Sequence, residues 1–158
     1  MVPSGIQRLF NILRRQFSYI VVDAGTAAGA AADTLLDLAD EVYLVTEVSI
    51  PALRNARRML TFMTERRNNS HVEVILNRFN AREFEIDENS ATKALARPVD
   101  WKIPNDFPSV RMAENTGVPL AMKDSPISRV MHKMAIHAAG RPQQAEVKKS
   151  RTLLGLFE

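Results

Sequence analysis

The chain has 158 residues, 46% of them hydrophobic and 25% charged, with a net charge of +3. That length suits one domain with a real core and is too short for two comfortable ones. It contains no cysteine, which excludes disulfides and thiolate metal centres, and its mild basic excess permits acidic partners without requiring nucleic acid.

No apolar run approaches the ~20 residues that cross a bilayer. At the N-terminus, Arg8, Arg14 and Arg15 interrupt what a signal-peptide core would need. The expected setting is the cytoplasm. Ile6, Leu9, Phe10 and Leu13 recur at helical spacing and predict a short amphipathic helix over 6–16.

Tyr19–Val22 is continuous, apolar and β-branched, the pattern of a strand buried on both faces. It ends in Asp23, and a small-residue loop follows through Gly25 and Gly29. A helix is expected over 33–39 and a second buried strand over 42–46. Ser49 is placed to cap a helix that has Pro51 in its first turn and runs to about Arg67. Leu53, Ala56, Leu60 and Met63 form its apolar face, and its arginines read as a solvated face or as a surface for phosphates.

A third strand covers 72–76 and exits at Asn77-Arg78. A helix over 87–96 leads to a short fourth strand at 101–103. The turn Pro104-Asn105-Asp106 precedes a helix over 108–116 that stops at Gly117, a C-cap position. Ser125-Pro126 starts a last helix to about 139, and residues 141–158 read as a polar linker with a basic tail. The partition is therefore one domain over 1–140 and a tail over 141–158.

Strands alternating with helices of this length imply βαβ units, hence an α/β fold with a mainly parallel sheet flanked by helices. In such sheets the loops at the carboxyl ends of the strands bind ligands. Asp23, Thr46-Glu47, Asn77-Arg78 and Pro104-Asn105-Asp106 all fall at those ends. Asp23 is either a Mg²⁺ ligand or a cap of its own loop. Asn77 offers the donor and acceptor that match an adenine edge, or a side chain bonded to its own turn. His132 and His137 are five apart, which is not the i, i+4 spacing of helical zinc ligands.

Taken in order, YIVVD (19–23), ADEVYLVT (39–46), SIPALRNARR (49–58), VILNR (74–78) and IPNDFPSVRMAENTGVPL (103–120) resemble the C-terminal two-thirds of a MinD/ParA-type P-loop ATPase domain. The nearest likeness is to the TadZ/CpaE branch, which helps place pilus assembly machinery. The resemblance implies ATP and Mg²⁺ as family cofactors, ATP-dependent dimerisation, and partners in a pilus or secretion apparatus. It implies a protein in the cytoplasm, at the inner face of the membrane or at the cell pole. Carried over by position, Asp23 matches the Mg²⁺-site aspartate, Asn77 with Arg78 the adenine-reading turn, and Pro104, Asn105 and Asp106 the loop lining the base.

One departure is decisive. Residues 1–158 contain no G-x-x-x-x-G-K-S/T loop and no Gly-Lys pair, so the backbone cradle for phosphates is missing from them. The expectation is weak or absent nucleotide binding and no autonomous ATPase activity. Two alternatives stay open: an active ATPase whose phosphate-loop half lies outside these residues, and a ParA-like DNA-associated module using the arginines of 54–67. The resemblance also implies that a phosphate-loop strand separates the 19–22 and 42–46 strands. In its absence those two strands either close up into a four-stranded sheet or leave a gap.

Overall fold

A computed structural model describes residues 3–25, 29–66, 71–80 and 88–140. Three parallel strands form the sheet in the order β1 (Glu41–Glu47), β2 (His71–Phe79), β3 (Trp101–Pro104). Glu41 lies beside His71 and Glu47 beside Asn77, an unbroken register from end to end. β2 meets β3 at Ile75–Trp101 and Phe79–Pro104, with an irregularity between.

The helices form where the spacing predicted them. α1 spans Pro3–Gln16, α2 Ala30–Leu38, α3 Ile50–Arg66, α4 Glu88–Leu95, α5 Phe107–Thr116 and α6 Pro126–Ala138. A 3-10 turn at Leu120–Met122 joins the last two. Ser49 caps α3, its Oγ accepting from the Ala52 amide at 3.3 Å. Gly117 ends α5 at φ 64°, a left-handed conformation in which a side chain would be strained. Among the described residues no helix is long and apolar enough to cross a membrane.

The main core lies on one face of the sheet. Leu53, Ala56, Leu60 and Met63 of α3 and Ala91 and Leu95 of α4 pack against Leu44, Val72, Val74 and Leu76. Burying a side chain such as Leu53 or Leu76 contributes roughly 1.5–3 kcal/mol. The alternate residues of β2, Glu73 and Ile75, point to the other face, and they too are buried. α6 covers that face, and its His137 reaches Glu73. β2 is thus buried on both faces, as its unbroken apolar pattern predicts.

Four strands were expected and the described residues hold three. Tyr19–Val22 pairs with no described strand, and Val21 is 95% exposed. An apolar β-branched run becomes a strand only when another strand takes its N–H and C=O groups. The Tyr19 hydroxyl of this run donates to the Ala139 carbonyl at 3.5 Å. Arg14 at the end of α1 donates to the Leu38 carbonyl at 2.7 Å, and Arg66 of α3 grips Asp33 and Asp37 of α2. The 19–22 and 42–46 runs do not close up into a four-stranded sheet. The expected tail at 141–158 lies outside the described residues.

Candidate functional site

Parallel register brings three of the four strand-end motifs to one rim. Glu47 closes β1 beside Asn77, and Phe79 lies beside Pro104. The rim is tied by backbone and charge: the Asn105 amide donates to the Phe79 carbonyl at 3.0 Å, and Arg78 Nη1 meets Glu47 Oε1 at 3.1 Å. Arg78 has φ 52°, an uncommon value for a residue with a side chain, and marks a sharp exit from β2.

Asn77 and Asp106 of the rim each bond their own local backbone. Asn77 Oδ1 accepts from the Arg78 amide at 2.9 Å. One lone pair of its carboxamide oxygen is therefore engaged in the turn. Asp106 caps α5, taking the Ser109 amide at 3.2 Å and the Ser109 hydroxyl at 2.7 Å. That cap orders the Pro104–Asp106 turn and fixes the start of α5.

Asp23 stands apart. It is exposed, and its Oδ1 accepts from the Gly25 amide at 3.0 Å. Gly25, at φ 54°, supplies the left-handed turn this bond needs. Among the described residues no three carboxylates or histidines cluster to hold a metal. A lone exposed aspartate already bonded to its own loop does not by itself make a Mg²⁺ site, which requires near-octahedral oxygen ligation.

Beside the rim lies a shallow groove of about 260 Å³. Leu44, Val45, Thr46 and Glu47 form one wall and Ala52, Asn55, Ala56 and Met59 of α3 the other. Glu47 is its one charged group. The lining is mixed: Thr46, Glu47 and Asn55 are polar, the other five residues are apolar, and Glu47 is paired with Arg78.

A second polar cluster escaped the sequence reading. On the α6 face, buried Glu73 accepts from the Trp101 indole N–H at 2.5 Å through Oε2 and meets His137 Nε2 at 2.8 Å through Oε1. Trp101 and His137 stack edge to face with centroids 5.6 Å apart. Tyr43, paired with Glu73 across the sheet, donates to Glu41 at 2.9 Å. Burial first, then Glu41 and Glu73, push its phenol well above the usual range. The signal in the sequence was a charged residue inside an apolar strand, at Glu73.

No family model and no curated protein sequence matches this chain. Solved structures do. A ParA-family ATPase from Chlorobium tepidum TLS superposes with a TM-score of 0.77 at 27% identity, over 87% of this chain and 57% of that one. The cell-division ATPase MinD of Pyrococcus furiosus gives 0.70 at 20% identity, over 87% and 58%. The septum site-determining protein MinD of Pyrococcus horikoshii OT3, solved as a complex with Mg-ADP, gives 0.69 at 21%, over 86% and 56%. The fold is that of the MinD/ParA-like P-loop NTPases, and the chain spans less than two thirds of the length of the structures it matches.

Proposed function

We propose that this chain is a MinD/ParA-like localisation protein of the TadZ/CpaE kind, acting by protein contact to place a pilus or secretion apparatus. One observation carries the reading. The strand-end rim keeps its fold and its turns, while Asn77 and Asp106 bond their own local backbone and the adjoining groove holds no basic side chain. Such a surface suits a polypeptide better than a triphosphate. Within the reading, Asp23, Asn77, Arg78, Pro104, Asn105 and Asp106 mark the remnant of a nucleotide site. Partners are components of the apparatus or a second copy, and the setting is the cytoplasm or the inner face of the membrane at a pole.

A second reading has its own support. The match covers only 57% of the ParA-family chain, so the phosphate cradle of an active ATPase is also compatible with a segment outside residues 1–158. An in-frame G-x-x-x-x-G-K-S/T motif encoded upstream of the Met1 codon would favour the second reading, and calorimetric titration with ATP and Mg²⁺ tests the first. The localisation reading expects dissociation constants weaker than about 100 µM for these residues alone. Low-micromolar binding would overturn it in favour of the ATPase.

A further inference from the structure

We propose that the outward face of α3 docks an acidic amphipathic helix of a partner protein, one with carboxylates at its centre and an apolar side chain at each end. Away from the buried Leu53, Ala56, Leu60 and Met63, α3 presents Arg54, Arg57 and Arg58, all exposed. Residues three and four apart on a helix are neighbours. No position three or four residues from these arginines along α3 holds a carboxylate. Arg54 instead meets Arg57 and Arg58 as like charges, which weakens the helix.

Among the described residues no ion pair relieves the three. The contrast is on the same helix, where Arg66 grips Asp33 and Asp37 of α2. A local conflict with no internal compensation is what a functional surface looks like.

Apolar anchors stand at the two ends of the arginine set. Ile50 is 58% exposed and Phe62 47%. The Arg66 guanidinium lies 6.0 Å from the centroid of the Phe62 ring and restrains it. The two anchors are about 18 Å apart along the helix axis, a span of some 13 helical residues. Exposed ion pairs add little alone. Arginine and aromatic side chains together are the residue types that dominate protein interfaces.

Charge selects the occupant. α3 carries Arg54, Arg57, Arg58 and Arg66 against Glu65 alone. A second copy would present the same positive face and be repelled. Duplex DNA matches the charge but has no use for Ile50 and Phe62, and so few arginines neutralise few phosphates. A helix with a central row of glutamates and apolar ends meets both requirements. This inference rests on the reading of the chain as a contact protein and names the surface that makes the contact.

The test is fluorescence anisotropy with the full chain and a labelled 14-residue helical peptide, leucine at each end and glutamates along the face between. A control peptide has the same composition with leucines and glutamates interspersed. The expected dissociation constant is about 10–100 µM in about 0.1 M salt. Arg54→Gln/Arg58→Gln should weaken binding about tenfold, with a urea midpoint at or above the parent's because like charges are removed. Ile50→Ala/Phe62→Ala should weaken it by a similar factor with native circular dichroism.

No binding at up to about 1 mM peptide would overturn the proposal. Equal binding of the interspersed peptide would do so too, because bulk charge needs no pattern. Tighter binding to duplex DNA or to phosphatidylglycerol vesicles, lost in the same arginine variant, would assign the face to phosphates instead. Tighter peptide binding by Glu83→Gln/Glu85→Gln would assign it to the chain's own carboxylates. Low-micromolar ATP binding with peptide binding intact would sink the localisation reading and leave the α3 surface standing.

Discussion

Glu73 shows how much chemistry one residue can concentrate. Its carboxylate is buried in the middle of the sheet and takes hydrogen bonds from Trp101 and His137, which come from β3 and α6. A buried acceptor is tolerable only with such partners. Removing it strands both donors, so Glu73→Leu should cost about 1–3 kcal/mol in urea unfolding, with a shift in Trp101 fluorescence. The partners come from 28 and 64 residues away. A glutamate in an apolar run signalled burial; which groups would answer it depended on strand register and the placement of α6.

Tyr43 gives a pH dependence with a definite sign. Its phenol is raised in the fold, above all by burial. Near neutral pH both states hold the proton, and the native environment keeps its full advantage. Above about pH 10 the unfolded phenol ionises first, favouring the unfolded chain. Stability should therefore fall as pH rises from about 9 to 11, and Tyr43→Phe should flatten that fall in urea midpoints measured across the same range.

At the scale of elements, local signals predicted most of what formed. Ser125 and Ser128 build a reciprocal capping box at the start of α6, and Pro126 sits in the first turn. Ser125→Ala should cost about 1 kcal/mol, read as a lowered urea midpoint. Leu53→Ala, which hollows the α3–β2 contact, should cost about 2–5 kcal/mol by the same measurement. The 19–22 run is the exception. Its pattern declares a buried strand, yet Tyr19 and Val21 lie exposed. Helical periodicity carries its own hydrogen bonds within the segment, so α1, α3 and α6 could be read locally. A strand borrows its bonds from a neighbour, and no described strand pairs with Tyr19–Val22.

For the whole molecule, the sheet is asymmetric. One edge ends at the short β3, which α6 packs against, and the other at the bare β1. Charge does not settle a nucleic-acid role in favour of α3. Arg66 is tied to Asp33 and Asp37 of α2, while Arg54, Arg57 and Arg58 face solvent without aromatic neighbours in the sequence. Duplex DNA binding at physiological salt should accordingly be weaker than about 10⁻⁴ M in an anisotropy titration. Salt-dependent affinity that disappears in an Arg57→Ala/Arg58→Ala double variant would restore the DNA-associated reading.

By itself the sequence determined the α/β class, the order of helices and three of the strands, the helix ends at Ser49, Gly117 and Ser125, and the rim where Glu47, Asn77 and Pro104 meet. Those features follow from local periodicity, turn chemistry and the rule that parallel strands end together. Only the tertiary structure decided that Tyr19–Val22 stays out of the sheet, that Asp23 and Asn77 turn to their own backbones, and that Glu73 gathers Trp101 and His137. Each of these depends on which group arrives beside which, and a residue's neighbours across the sheet are fixed by packing rather than by its place in the chain.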